Sequence, residues 1–343
     1  MDNNKVVTFI LGNGFDMALN LKTSYKDFYE QIVEDKSHNK IIKKIQEEPE
    51  TWADLEEQLG HHTFDDDFTF DQFYKDYMEL LKELKTYLKR QESLFVEPKK
   101  LNSEHHIFNI IEENLNAHSQ KVPADIITQI FNRTRKINFI TFNYTNTIDR
   151  LVDKFKRTRQ SYLEITLPIH IHGNLAGPMA LGVNDKTQYN KEHCPEDFQM
   201  YFEKFNYTTN NALDDAYLEM KNKIFESNVL ICFGTSFGKT DQDYWKLVGE
   251  WLQESYSNKI LIYDYETNFS QIDVEFALTL NQALNKSKAA LIAQLDLTEE
   301  QEKRIRNQIH PLYRRNNFLE IIENKEEITI PKAISGGSVK YFV

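Results

Sequence analysis

Four short runs of this chain are strand-like, largely apolar and free of alternation: KVVTFIL at 5–11, INFITF at 137–142, NVLICF at 228–233 and KILIY at 259–263. A strand with one wet face alternates apolar and polar residues. A strand covered on both faces does not, and that is the mark of a parallel sheet between helical layers. The stretches between the runs carry helical periodicity and are long enough for crossover connections. The pattern therefore predicts an α/β protein, with a Rossmann-like parallel sheet and helices on both faces.

The helical segments divide the chain. Ser24 followed by Asp27 is a capping pattern and starts a helix over 25–33. Trp52-Ala53-Asp54-Leu55-Glu56 opens another. Phe73, Tyr74, Tyr77, Leu81, Leu84 and Leu88 form one stripe of a long amphipathic helix, and 107–115 and 126–134 are further helical candidates. No strand-like run interrupts residues 50–134, so they read as an all-helical insertion. The sheet-forming core is then discontinuous, 1–49 and 135–285. Helices are expected over 213–225, from Thr240 to Tyr256 and over 272–284. A C-terminal helical extension and tail follows over 286–343, with Thr298 and Gln301 capping a late helix. A short strand is expected at Leu167–Ile171, and residues 185–210 read as a surface loop folding over the strand ends.

Bulk properties narrow the function classes. At 343 residues and a formal charge of −12, the chain is a poor match for a phosphate backbone gripped along an extended surface, so nucleic acid is not an expected partner. The two cysteines, Cys194 and Cys232, form no C-x-x-C pair and no disulfide framework, which fits a reducing compartment. The N-terminal apolar stretch is too short for a signal peptide, and no run approaches a membrane span. A cytoplasmic protein without a membrane partner is the expectation. His61-His62 with Asp65, Asp66 and Asp67 lacks ligand-set spacing and reads as a solvated loop, so no metal is expected.

The strand runs end in distinctive chemistry. Gly12-Asn13-Gly14 follows the first, Asn143 the second, Gly234-Thr235-Ser236 the third and Asp264 the fourth. In an open parallel sheet all these ends meet at the carboxyl edge, where ligands bind. Strand, Gly-x-Gly, helix is a geometry that presents backbone N–H groups to a phosphate. The third glycine of the dinucleotide fingerprint is missing, and a simple tight turn would satisfy the same residues. Asn143 suits a water or a ribose hydroxyl, or its own turn. His172, before Gly173, suits proton transfer because its ordinary pKa lies near neutrality. His170 shares its strand face, and the residues alone do not choose between the two.

The blocks GNGFD, TSYKDF, WADLE, TFNYTNTID, HIHG and FGTSFGKTD, spread over residues 10–241, resemble the AbiH family of bacterial abortive-infection proteins. More distantly, the pattern is similar to sirtuin-like NAD-binding domains. The resemblance implies a sirtuin-like fold and an anti-phage effector. It places the pyrophosphate at Gly12, Asn13 and Gly14, the nicotinamide ribose by Asn143, and the adenosine side by Gly234, Thr235 and Ser236. It makes His172, not His170, the catalytic partner of Asn143. Asp16, Thr145, Gly173 and Asp264 complete the expected contacts. Thr145 stands where sirtuins carry Asp, Asp16 has no counterpart there, and the four-cysteine zinc module is absent. The implied activity is NAD hydrolysis to nicotinamide and ADP-ribose, with NAD as substrate. A toxic hydrolase needs restraint, so a phage-derived trigger and a homo-oligomer are partners to test. A sensor that binds NAD or a related nucleotide without cleaving it, and an interaction protein that recognises a phage component through residues 50–134, are the other classes.

Overall fold

The computed structural model describes residues 5–31, 38–96, 126, 134–157, 163–205, 214–263 and 277–312. The expected helices at 107–115 and 126–134 lie outside these residues, apart from helical Ile126 and Thr134, which opens a strand instead; Asp264 and the terminal tail lie outside as well.

Among the described residues, seven parallel strands form one sheet: β1 (Lys5–Leu11), β2 (Thr134–Thr141), β3 (Glu164–Ile165), β4 (Ile169–His170), β5 (Val229–Phe233), β6 (Lys259–Tyr263) and β7 (Ile309–Leu312). The spatial order is β3-β2-β1-β5-β6-β7, with β4 also pairing β2. The chain builds outward from β1 in one direction, then returns to β1 and builds the other way. The reversal between β1 and β5 creates a crevice at their carboxyl ends.

Around the sheet run α1 (Asn13–Ala18), α2 (Tyr25–Gln31), α3 (Lys40–Glu47), α4 (Leu55–His62), α5 (Phe70–Ser93), α6 (Thr147–Arg157), α7 (Glu196–Phe202), α8 (Asp214–Phe225), α9 (Gln242–Glu254), α10 (Ala277–Ile292) and α11 (Glu299–Ile305). Alternate residues of the strands enter separate cores. Val7, Phe9 and Leu11 pack with Ile148 and Val152 of α6 on one face. Ile10, Leu230 and Ile260 pack with Ile224 of α8 and Val248 and Trp251 of α9 on the other. Helices on both faces are why the strands read as unbroken apolar runs.

A third core lies beyond the carboxyl edge and joins α2 to α5 with residues 175–202. The buried stripe of α5 is Phe73, Tyr77, Leu80, Leu84, Tyr87 and Leu88, while Tyr74 turns outward. Residues 185–205 are not the surface loop that their polarity suggests. Tyr189, Cys194, Phe198 and Phe202 are buried against α5, and Lys204 behind them is fully enclosed. His61 and His62 close α4 instead of standing in a loop, and His62 is buried with its Nδ1 against Asp65 and Lys44. Burial holds the pKa of His62 down, despite the Asp65 carboxylate.

Other differences are local. The strand expected at Leu167–Ile171 shortens to β4, with Leu167 exposed. The helix expected to stop at 284 continues to Ile292, because Leu291 and Ile292 pack on the sheet. β7 lies within the stretch expected to be helical and tail. It occupies the sheet edge, where Pro311 can be tolerated without a central ladder bond. The capping box at Thr298 and Gln301 forms as expected. Among the described residues, no helix is long and apolar enough to cross a membrane.

The β1 and β5 turns lock together through backbone alone. Gly12 N–H donates to Phe233 O at 3.0 Å and Gly14 N–H to Gly234 O at 2.9 Å. A Cβ on Gly12 would stand 2.5 Å from Gly234 O, and one on Gly234, at φ +65°, would stand 2.5 Å from Gly14 Cα. Only glycine permits this approach. Gly12→Ala is therefore expected to cost about 2–4 kcal/mol of unfolding free energy, whereas Gly177→Ala costs under about 1 kcal/mol. At Gly177 an added Cβ would meet only Asn174 Oδ1, at 3.7 Å. Denaturant titration of both variants checks this, and equal losses would contradict it.

Candidate functional site

A cavity of about 700 Å³ opens at the carboxyl ends of β1, β2 and β5. Gly12, Asn13, Gly14, Asp16, Asn143, Thr145, His172, Gly234, Thr235 and Ser236 all line it. Tyr25, Glu56, Leu84 and Leu88, from α2, α4 and α5, close it from the helical side. Gly173 stands behind the wall: its φ of +73° turns the chain so that His172 faces inward. Asp264 lies outside the described residues.

The glycine turn does not offer its glycine N–H groups to a ligand. Those of Gly12 and Gly14 are committed to the β5 turn. Asn13 is anchored as well, its Oδ1 accepting from Thr23 Oγ1 at 2.6 Å.

The two histidines have different surroundings. His170 Nδ1–H donates to Asn143 O at 2.9 Å, and its Nε2 lies 2.8 Å from Asp149 Oδ2. Burial opposes its charge, but Asp149 and the Asn143 carbonyl outweigh burial and raise its pKa. His170 thus fixes the backbone of Asn143 from behind. Asn143 N–H is fixed separately, donating to Thr141 Oγ1 at 3.0 Å. His172 is packed by the rings of Phe142, Tyr144 and Tyr244 at centroid distances of 5.3, 6.3 and 5.8 Å. Its Nε2 stands 3.0 Å from Asp241 Oδ1, out of line for a hydrogen bond.

Asp16 is 1% exposed. It accepts hydrogen bonds from Thr145 Oγ1 at 2.5 Å and Thr147 Oγ1 at 2.6 Å. Burial pushes its pKa up to about 6, against these hydroxyls and the nearby Asn143 amide, which favour the charge. Asn143 Nδ2 influences the carboxylate without a well-formed hydrogen bond to it. Thr145 is thus occupied with Asp16.

A buried ion network adjoins His172. Lys204 Nζ donates to Glu56 Oε2 and to Asp241 Oδ1, each at 2.7 Å, and Thr240 Oγ1 donates to Glu56 Oε2 at 3.1 Å. Burial disfavours the charge on Asp241, but Lys204 and His172 overcome it and hold the carboxyl well below its usual range. Burial keeps Glu56 raised despite Lys204. Sequence reasoning missed these three residues. Glu56 and Asp241 stood in the blocks WADLE and FGTSFGKTD. Lys204 had no local signal beyond the aromatic residues around it.

Among the described residues, four buried side-chain atoms on the cavity wall make no well-formed hydrogen bond: Asn143 Nδ2, Thr235 Oγ1, Trp245 Nε1 and His172 Nε2, the last facing Asp241. Buried polar atoms are nearly always paired, so these atoms leave the cavity wall with hydrogen-bonding capacity unused within the protein. Among the described residues, no three His, Cys, Asp or Glu side chains group so as to hold a metal ion.

The family model for bacteriophage abortive infection AbiH matches residues 8–263. The chain belongs to that family, and the match spans every block from the glycine turn to β6. No curated protein matches it significantly. A solved structure described as Sir2 with a deacetylated p53 peptide and 3′-O-acetyl ADP ribose is similar at 11% identity, covering 78% of this chain and 86% of that one, with a TM-score of 0.29. A likeness that loose carries no argument about the site.

Asp16 gives the cavity a measurable signature. Its folded pKa of about 6 lies above its ordinary 3.8. Its contribution to stability is therefore complete below pH 3.8 and lost as pH rises through 6. The difference of about two units corresponds to about 3 kcal/mol. Between pH 4 and pH 8 the unfolding free energy of Asp16→Asn should gain on that of the wild type by up to that amount. A pH-independent difference between the two would contradict the assignment.

Proposed function

We propose that this abortive-infection protein takes NAD into the cavity and hydrolyses the bond between nicotinamide and ribose. The observation that carries the reading is the convergence of Asn143 Nδ2, Thr235 Oγ1 and Trp245 Nε1, buried and without a hydrogen-bond partner, on one cavity of nucleotide size beside His172, whose Nε2 faces Asp241. The motif resemblance to sirtuin-like NAD-binding domains supplies the choice of ligand, and family membership supplies the setting of phage defence.

The reaction asks little acid catalysis of the protein. The pyridinium of NAD is a good leaving group: the C1′–N bond breaks, the electron pair stays with nicotinamide, and an oxocarbenium-like centre develops on the ribose. Water adds to C1′ and loses a proton, so NAD and water give nicotinamide, ADP-ribose and one proton. Asn143 Nδ2 orients the water or a ribose hydroxyl, with His170 and Thr141 holding its backbone. His172 Nε2 accepts the proton. Asp16, when ionised, places negative charge near the cationic centre, where a preorganised site makes it effective. The surrounding aromatic rings exclude competing water. The N–H groups of Gly12 and Gly14 are not available for the pyrophosphate, so its contacts come from elsewhere in the wall.

A nucleotide sensor would use the same unpaired atoms for binding without cleavage, and a product assay separates the two. The test is incubation of the purified full-length protein with NAD, alone and with phage lysate, followed by chromatography of nicotinamide and ADP-ribose. The wild type should form both in equal amounts. His172→Ala and Asn143→Ala should each lose at least about 10²-fold in rate while melting cooperatively near the wild type. NAD binding in calorimetry with no product under either condition would leave the sensor. Neither binding nor product would overturn both readings.

A further inference from the structure

The enclosed lysine has no role in the reaction as written above, yet its ion pairs end on the group that faces His172. Lys204 is 0% exposed. Its backbone is fixed by N–H donation to Val183 O at 2.9 Å. Its ammonium group joins Glu56 on α4 to Asp241 in the short turn before α9, so three separate parts of the chain meet at one charge. Ion pairs of this kind are weak devices for stability, because hydrophobic residues of the same volume often serve as well or better. Its placement calls for another explanation.

That explanation lies in one oxygen. Asp241 Oδ1 accepts from Lys204 at 2.7 Å and also faces His172 Nε2 at 3.0 Å, off the hydrogen-bond axis. The ammonium group and the imidazole thus share one carboxylate oxygen. The groups facing His172 from the elements around it are Asp241, Lys204 and Glu56, with Tyr144 before α6 and Tyr244 on α9. Tyr144 donates its hydroxyl to Ala180 O and Tyr244 donates to Lys204 O.

We infer that Lys204 is a positioning residue for His172: bridged between Glu56 and Asp241, it holds the carboxylate oxygen that the imidazole faces and limits how tightly Asp241 binds the imidazole. The inference rests on His172 as the proton acceptor of the proposed reaction. With Lys204 in place the carboxylate oxygen that the imidazole faces is shared with the ammonium group. Without it, Asp241 can turn fully to His172, and an unshared carboxylate favours the protonated imidazole.

The test follows the His172 ring signal by NMR in full-length protein with labelled histidine, assigned by His172→Gln. In Lys204→Met the His172 pKa should rise by about one unit or more, as expected for an unshared carboxylate neighbour. Lys204→Arg, which restores the charge, should return it most of the way. Because Lys204→Met leaves two buried carboxylates without their cation, the double variant Glu56→Gln with Lys204→Met is measured beside it and should show the same rise. An unmoved His172 titration in a folded variant would overturn the inference. So would unfolding of both variants, which would make the lysine a structural tie. The ring signal does not depend on turnover: a shifted titration with no nicotinamide release would uphold the positioning role and remove the hydrolase reading.

Discussion

Everything at the site depends on the contact between two turns at the point where the sheet reverses direction. β1 and β5 lie side by side although more than 200 residues separate them. At their carboxyl ends the Gly12 and Gly234 turns touch backbone to backbone, with two N–H groups donated across the seam. Side chains there would force the strands apart. Because they do not, the ends of β1, β2 and β5 stay level and open into one cavity. The glycines that looked like a cradle for a ligand are first a requirement of the fold.

Onto this edge the helical layer of α2–α5 adds the opposite wall. The apolar part of that layer is ordinary core, built on the stripe of α5. Among its polar residues on the cavity is Glu56, and through Lys204 that carboxylate is tied to the loop after β5. The two histidines separated by one residue divide the work. His170 is saturated by Asp149 and the Asn143 carbonyl and acts on the loop. His172 is enclosed by aromatic rings and faces a carboxylate that is already engaged. Asp16 and Asp241 show how burial alone does not set a charge: burial raises Asp16 against its hydroxyl donors, whereas an ammonium ion overcomes burial at Asp241 and keeps it ionised.

The parts of the structure that rest on local pattern were legible in the sequence. Unbroken apolar runs revealed β1, β2, β5 and β6, since burial on both faces leaves no polar period. Ser24 and Thr298 marked helix starts, because a capping side chain acts within three residues. Asn143 and His172 stood out as polar residues ending apolar runs. The parts that rest on long-range pairing were hidden. β7 is four residues with a histidine and a proline, and only its partner β6 makes it a strand. Lys204 looked like a surface lysine, because its two carboxylates stand 148 and 37 residues away. The commitment of the Gly12 and Gly14 N–H groups could not be read from a motif whose acceptors lie on another strand.

The central claim is that the cavity destroys NAD during infection, and the most direct measurement is mass-spectrometric quantification of NAD, nicotinamide and ADP-ribose in cells expressing the protein through the course of a phage challenge. The account predicts a fall in NAD with matching rises in nicotinamide and ADP-ribose, absent in cells carrying His172→Ala. Infection aborted by the wild-type protein with NAD unchanged throughout would contradict it.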